Sequence, residues 1–247
     1  MNNYSFLLNY LIFLICGYIE AGNLREEKEI SSVNDAISYY RISLQRLKKY
    51  LLDQDTYVID TRNLEKSAAG YIPNTIIIPI KMYSYIYSVV PIGSNVIIIT
   101  EIEEKQTAIE DFIELYTYKL LGYSIFSEIN KNNNFQLQAV EFNPNLNENI
   151  QEIVDKGETI IDIREINDHI QTGYIEQAKL IPLSSFLEEL DTIPHSGNIF
   201  LLCKSGLGSI IGMTFLKREG FSNRLVVMKG GMNRVIEEGY PLKKSTK

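Results

Sequence analysis

The sequence predicts an α/β protein of two similar domains in tandem, each a parallel sheet flanked by helices on both faces. Two observations support this fold class. The runs VIIIT (residues 96–100) and IFLLC (199–203) are short and continuously apolar, as expected for strands buried on both faces of a parallel sheet. In addition, helix-like and strand-like segments alternate in the same order twice along the 247 residues, which is typical of α/β domains.

An internal repeat supports the tandem arrangement. YVIDTRNLEKSAAGYIPNTIIIPI begins at Tyr57, and TIIDIREINDHIQTGYIEQAKLIPL begins at Thr159. Each reads as an apolar strand, an Asp-x-Arg, a polar helical stretch, Gly-Tyr-Ile and an apolar strand that ends in Ile-Pro. The spacing continues, because Thr100 and Cys203 each follow the proline of that Ile-Pro by 21 positions. Matched residue types at matched spacing predict a duplicated domain.

Helices are predicted before each repeat and after each buried strand. Their ranges are 42–55 and 105–121 in the first copy, and 147–157 and 209–218 in the second. Gly122 and Gly220 follow the later helix of each copy, as expected at a helix C-terminus. A last strand comes next, SIFSEI in the first copy and RLVVM in the second.

The chain divides at the polar run NKNNNFQLQ (residues 130–138), whose composition suits a linker. The predicted organisation is an apolar leader over residues 1–22, a first domain over 30–133 and a second domain over 138–247.

The leader is predicted from the first 19 residues, which carry no charged side chain. Residues 6–19 are nearly all apolar, but they fall short of the ~20 residues that span a bilayer and match a signal-peptide core. Export or membrane association through this stretch is therefore expected. The alternative is an extra apolar helix packed on a cytoplasmic protein. Cleavage of the segment stays open, because no Lys or Arg precedes it and the following residues make a poor cleavage site.

Composition excludes several kinds of function. The formal net charge of -7 does not suggest a nucleic-acid-binding surface. The only cysteines, Cys16 and Cys203, form neither a disulfide framework nor a zinc-binding pattern. His169 and His195 are isolated and are interpreted as surface or helix-end residues rather than ligands. No metal or cofactor is expected.

Cys203 lies at the position where open α/β sheets commonly bind ligands. Ligands bind beyond the carboxyl ends of the strands, and Cys203 ends IFLLC directly before KSGLGS. A tight loop with Gly206 and Gly208, followed by a helix N-terminus, can direct backbone N–H groups inward. Such a cradle stabilises a thiolate or the terminal sulfur of a persulfide, and Lys204 adds a nearby cation. The alternative is a cysteine that is only a small buried hydrophobic residue.

The first copy lacks this chemistry. Thr100 occupies the position of Cys203, and the sequence after it, EIEEKQT, has three glutamates and no glycine. A loop without glycine does not curl in the same way, and its negative charges repel an anion. Thr100 is therefore not expected to replace the nucleophile, and the first copy is expected to be inactive.

Other repeated or glycine-rich features are interpreted as structural. Asp60 with Arg62, and Asp162 with Arg164, recur in both copies although only one copy has the cysteine. We therefore expect ion pairs or hydrogen bonds at strand ends. Gly230-Gly231 is interpreted as turn geometry before the last helix, since the rest of a nucleotide-binding motif is missing.

Together these residues resemble the rhodanese (sulfurtransferase) family. The resemblance covers nearly the whole second copy. Its elements are Asp-Ile-Arg-Glu at 162–165, Gly-Tyr-Ile at 173–175, Ile-Pro-Leu at 181–183, Cys-Lys-Ser-Gly at 203–206, Gly-Phe at 220–221, Gly-Gly at 230–231 and Gly-Tyr-Pro at 239–241. The family implies a cysteine that takes a sulfane sulfur from a donor such as thiosulfate and passes it to cyanide or a thiol.

The resemblance also implies which residues do this. Cys203 is implied as the catalytic residue and persulfide carrier. The implied substrate-binding loop is Lys204, Ser205, Gly206, Leu207, Gly208 and Ser209. In two-domain members the active loop commonly lies in the C-terminal copy, which is the pattern here. The implied partners are a small-molecule sulfur donor and a thiol acceptor.

Three positions depart from the family pattern. Gly208 stands where the loop often has arginine, Tyr174 where histidine is usual, and Val235 where tryptophan is frequent. Without that guanidinium the site lacks a bidentate contact to an oxyanion such as thiosulfate. A small organic persulfide or a protein persulfide is therefore an expected donor.

The sequence also bears on two other functions. Related phosphatases need an arginine six positions after the cysteine, and Ser209 occupies that position, so phosphatase activity is disfavoured. The remaining alternative is a non-catalytic binding or regulatory module, which Gly208 and the degenerate first copy both favour.

Overall fold

The computed structural model describes residues 41–115, 117–131, 135–143 and 147–244. It contains two parallel β-sheets flanked by helices, so the predicted fold class is confirmed. Among these described residues, no helix is both long enough and apolar enough to cross a membrane. The predicted leader, residues 1–22, lies outside the described ranges, and the predicted domain limits stay a prediction.

The first sheet is built from residues 56–125. In chain order the elements are α1 (Leu44–Tyr50), β1 (Thr56–Asp60), α2 (Leu64–Ala69), β2 (Thr75–Ile77), a 3₁₀ helix (Ile80–Tyr85), α3 (Ile86–Val89), β3 (Asn95–Thr100), α4 (Lys105–Glu114), β4 (Lys119–Ile125) and α5 (Phe126–Lys131). The strand order is β2-β1-β3-β4, and all neighbours are parallel.

The second sheet is built from residues 142–228. Its elements are β5 (Phe142–Asn143), α6 (Asn147–Asp155), β6 (Thr159–Asp162), α7 (Ile166–Thr172), β7 (Lys179–Leu180), a 3₁₀ helix (Leu183–Ser185), α8 (Phe186–Glu189), a 3₁₀ helix (Leu190–Thr192), β8 (Ile199–Leu202), α9 (Leu207–Arg218), β9 (Leu225–Met228) and α10 (Gly231–Glu237). The strand order is β7-β6-β8-β9-β5, again all parallel.

The two sheets share one strand order, since β2-β1-β3-β4 corresponds to β7-β6-β8-β9. The register corresponds as well. Asp60 pairs with Ile99, and Asp162 pairs with Leu202. Each aspartate therefore lies opposite the residue just before Thr100 or Cys203, so these two residues occupy equivalent places in the two sheets.

Local sequence explains the elements. The strands β1 and β3 are rich in valine and isoleucine, and alternate side chains face different clusters: Ile59 and Ile98 point to one core, and Val58 and Ile97 to another. Helix α2 begins at Asn63, whose side chain accepts a hydrogen bond from the Glu65 N–H at 2.9 Å. The largest apolar cluster contains residues of both sheets, so the two halves share a core.

The prediction for residues 105–129 was partly wrong. Helix α4 ends at Glu114, and the strand that follows begins at Lys119 rather than near Ser124. Gly122 therefore lies inside β4, where it pairs with Ile97 at a β-bulge, and does not end a helix. Pairing with the buried strand β3 outweighs the helical pattern of this segment, and glycine suits the irregular backbone of a bulge.

Candidate active site

Cys203 lies at the carboxyl end of β8, the central strand of the second sheet. Strands β6 and β9 flank β8, so the loops that follow these three strands meet at one edge of the sheet. Only 7% of the Cys203 surface is exposed. A reactant must therefore be slender at the atom that meets the sulfur.

The loop after Cys203 is shorter than predicted. Lys204 and Ser205 are exposed, and Gly206 precedes α9 as its N-cap with φ +90°. The predicted loop also includes Leu207, Gly208 and Ser209, but these residues form the first turn of α9. The left-handed conformation of Gly206, which glycine adopts without steric cost, allows the chain to enter the helix at once.

One backbone amide of this loop faces the sulfur. The Gly206 N–H donates a hydrogen bond to Cys203 Sγ with an N–S distance of 3.1 Å. The sulfur therefore lies at the N-terminal end of α9, where the helix dipole and the amide both favour negative charge. This geometry agrees with the cradle expected from the sequence, although the contact comes from one residue rather than from the whole predicted loop.

The first turn of α10, which follows β9, holds the Cys203 loop in place. The Met232 N–H donates to Cys203 O at 2.8 Å, and the Asn233 N–H donates to Lys204 O at 3.0 Å. Both carbonyls therefore point at the N-terminus of α10. Because a trans peptide places its N–H opposite its C=O, the amides of Lys204 and Ser205 point to the other side.

Gly231 makes this close contact possible. It has φ +58°, and a Cβ added there would lie 2.2 Å from Cys203 O and 2.8 Å from Gly206 N. The interpretation of Gly230-Gly231 as turn geometry is confirmed, since both have positive φ. The contact with Cys203 was missed, because it depends on β8 and β9 being neighbours. The sequence feature that could have indicated this contact is the glycine pair shortly after a buried strand.

Gly208 borders the thiol. A Cβ added at this residue would meet Cys203 Sγ and Ile163 Cδ1, each at 3.7 Å, which is ordinary van der Waals contact. Ile163, which directly follows β6, was not predicted as a site residue. The site at this point is apolar, and a Cβ fits there in ordinary van der Waals contact.

The repeated Asp-x-Arg elements are structural, as predicted. In the second copy Arg164 Nη2 donates to Asp162 Oδ2 at 2.6 Å and to Gly173 O at 3.0 Å. In the first copy Arg62 Nη2 donates to Asp60 Oδ2 at 2.6 Å and to Gly70 O at 2.8 Å. Each buried arginine ties a strand end to the glycine of Gly-Tyr-Ile.

His169 was expected at the surface or at a helix end, and the expectation of a surface position is wrong. His169 is on α7 but is buried, with Nε2 2.9 Å from Asp162 Oδ2 and its ring stacked on Tyr174 at 5.3 Å. The helix turns this position toward the strand end, where the Asp162 carboxylate provides a partner. His195 is exposed, as predicted, and stacks on Phe221.

Asp162 makes stability depend on pH. Burial raises the pKa of Asp162, but the adjacent His169 imidazole, the hydrogen bonds from Arg164 and the Arg164 charge outweigh burial and hold this pKa below its ordinary value of 3.8. The carboxylate therefore stabilises the fold above 3.8, and this stabilisation is lost as pH falls toward the lower folded value. We expect the free energy of unfolding, measured by urea titration, to decrease below about pH 5, and Asp162→Asn to flatten that decrease.

The exposed Asp191 provides the control for this prediction. Asp191→Asn should follow the wild-type curve throughout. An Asp162→Asn variant whose stability fell as steeply in acid as that of the wild type would show that other carboxylates are responsible.

The sequence of the second half matches a known family model. Residues 146–238 match the model described as "Rhodanese-like domain", and this range contains β6–β9 and Cys203. No curated protein matches the chain.

Solved structures are similar at low identity. A rhodanese-like domain protein from Staphylococcus aureus is 24% identical over 40% of this chain and 94% of its own, with a TM-score of 0.35. A rhodanese-related protein from Thermoplasma volcanium is 27% identical over 40% of this chain and 94% of its own, with a TM-score of 0.34. A thiosulfate sulfurtransferase from Pseudomonas aeruginosa is 16% identical over 84% of this chain and 44% of its own, with a TM-score of 0.36. By this family model, the rhodanese-like similarity of the chain lies in residues 146–238.

Proposed function

We propose that this protein is a sulfurtransferase that carries a sulfane sulfur as a persulfide on Cys203. The observation that supports this most directly is the Gly206 N–H, which donates to Cys203 Sγ at 3.1 Å at the start of α9. A backbone amide and a helix N-terminus stabilise a sulfur anion, and a thiolate is the form of cysteine that attacks.

The proposed reaction has two displacements at sulfur. The Cys203 thiolate attacks the outer sulfur of the donor, so that an Sγ–S bond forms while the donor's S–S bond breaks and its electron pair leaves with a thiolate or with sulfite. A thiol or cyanide then attacks the outer sulfur of the persulfide. The product leaves with that sulfur, and the Cys203 thiolate is regenerated without any external oxidant or reductant.

The site favours a donor without an oxyanion. Gly208, which lies beside the thiol, contributes no guanidinium, and the neighbouring Ile163 is apolar. A sulfonate-like group at this point would lose its water without gaining a charged hydrogen bond. A small organic persulfide fits the buried sulfur best, while a protein persulfide needs a chain segment thin enough to reach it.

A donor panel tests the proposal. Purified protein is given cyanide with either a small organic persulfide or thiosulfate, and thiocyanate formation is measured. We expect transfer from the persulfide well above the uncatalysed rate and slower transfer from thiosulfate. No transfer from any donor to cyanide or a thiol would favour the non-catalytic binding module instead.

Gly208→Arg is expected to raise the rate with thiosulfate by about tenfold or more, since a single well-placed donor contributes about 10²–10³ in rate at other active sites. The added Cβ makes only van der Waals contacts at 3.7 Å, so the helix start should tolerate it. The measurement is kcat/KM for thiosulfate and for the organic persulfide.

Gly208→Ala is the matched control, because it changes the backbone propensity without adding charge. The prediction is wrong if arginine and alanine have the same effect on kcat/KM for thiosulfate.

A further inference from the structure

Helix α9, which begins beside Cys203, is buried on nearly every side. Its residues 209–216 are all buried, and so is Arg218 near its end. A helix that is apolar all round belongs inside a core. Helix α9 packs on β8 and β9 of its own sheet and also on β2 of the first sheet. The first half of the chain therefore covers a face of α9 that a single domain would expose.

Thr214 makes the first specific contact across this junction. Strand β2 is an edge strand of the first sheet, so the outward N–H groups of β2 have no neighbouring strand. The Ile77 N–H donates to Thr214 Oγ1 at 3.1 Å, and the same hydroxyl donates to Ile210 O at 2.9 Å. Thr214 is fully buried, so its hydroxyl satisfies an amide that water does not reach.

Arg218 makes the second contact, one helical turn after Thr214 and on the same face. Its side chain is buried, and Nη2 donates to Gln54 O at 2.7 Å and to Thr56 O at 3.2 Å. The guanidinium also lies over the Tyr57 ring, 3.5 Å from its centroid. All three partners lie at the start of β1 or just before it, so the C-terminal end of α9 is fixed to the first sheet.

The opposite end of α9 forms the reactive site. Gly206, its N-cap, donates the amide to Cys203 Sγ, and Gly208 in its first turn borders the sulfur. A hydrogen-bonded helix moves as a unit and has about 3.6 residues per turn, so Thr214 lies roughly two turns and Arg218 roughly three turns from the cradle. A displacement of α9 on the first sheet would displace the amide relative to the sulfur.

We infer that Thr214 and Arg218 are positioning residues for Cys203. Through them the first half of the chain, which has Thr100 in place of the cysteine, holds the amide cradle against the sulfur. This inference gives the first half of the chain a role in sulfur transfer, and in that respect it rests on the proposed function. Its evidence is independent, because thiol reactivity can be measured without any sulfur donor.

The test uses full-length Thr214→Val and Arg218→Met and follows alkylation of Cys203 by iodoacetamide at several pH values. Quantifying the Cys203 peptide by mass spectrometry separates it from Cys16. We expect alkylation near neutral pH to slow by about threefold or more, within the twofold to thirtyfold that coupled distant residues typically show. The pH profile of the rate should move to higher pH. Thr214→Ser, which keeps the hydroxyl, should restore the wild-type rate.

Ile150→Val separates positioning from stability. Ile150 is fully buried on α6, in a cluster that does not include α9, so this variant loses core contacts while leaving the contacts of α9 with the first sheet intact. It should be alkylated at the wild-type rate. If Arg218→Met does not fold, Arg218→Lys keeps the charge but loses the planar fork and provides the same comparison.

Wild-type alkylation rates and pH profiles in both the Thr214 and Arg218 variants would overturn the inference and leave these contacts purely structural. The proposed function fails in a different way. If no donor yields a sulfur adduct but the variants still alter alkylation, the positioning of the thiol stands and the sulfurtransferase proposal does not.

Discussion

Cys203→Ser is expected to abolish sulfur transfer, with a loss on the order of 10³-fold or more, as found when a covalent nucleophile is removed. A serine hydroxyl does not ionise at neutral pH and does not form a stable bond to sulfane sulfur. The fold should be retained, because serine has nearly the same shape as cysteine and its hydroxyl can accept a hydrogen bond from the same Gly206 N–H. We expect the free energy of unfolding to change by no more than about 1 kcal/mol.

The control for this variant is Cys16→Ser, which should keep wild-type transfer because Cys203 is the proposed carrier. Both variants are compared by initial rates of thiocyanate formation with the same organic persulfide donor. Persistent transfer by a correctly folded Cys203→Ser protein would show that the proposed carrier is wrong.

Gly231→Ala is expected to have the second largest effect. Its Cβ would lie 2.2 Å from Cys203 O, so the Cys203 loop or the start of α10 must shift. A displacement of about 1 Å at a reacting group can cost about 10²-fold in rate, and we expect a loss of that size. The left-handed φ of +58° adds about 1–2 kcal/mol of strain for alanine, and the clash adds further destabilisation.

Gly239→Ala is the matched control, because Gly239 has φ +74° and a Cβ there meets nothing within 4 Å. It should show the backbone strain alone, seen as a modest loss of stability in urea titrations with sulfur transfer intact. The contact between the Cys203 loop and the start of α10 would be unimportant if Gly231→Ala behaved like this control.

Much of this architecture could be predicted from residue spacing. The apolar runs before Thr100 and Cys203, with an Asp-x-Arg at matched distance, indicated equivalent central strands, and the paired registers of Asp60 and Asp162 agree with that prediction. This worked because a strand buried on both faces must be apolar and because the buried Asp–Arg pairs need both partners. These constraints are local in the sequence and therefore visible there.

The remaining features depend on which elements become neighbours. His169 is buried because α7 turns it toward Asp162, and Gly231 touches Cys203 O because β9 lies beside β8. Thr214 looks like an ordinary residue of an apolar helix until the edge strand β2 presents the Ile77 N–H to it. Periodicity and spacing carry no information about such pairings.

The central claim is that Cys203 carries a persulfide, and mass spectrometry of the protein after treatment with an organic persulfide tests it most directly. The predicted result is an added mass of about 32 Da, one sulfur atom, on the Cys203 peptide, which cyanide removes. Cys203→Ser provides the blank. The contradicting result is a Cys203 peptide that stays unmodified after treatment with every persulfide donor and with thiosulfate. In the same protein, iodoacetamide must still alkylate Cys203, which shows that the thiol is accessible.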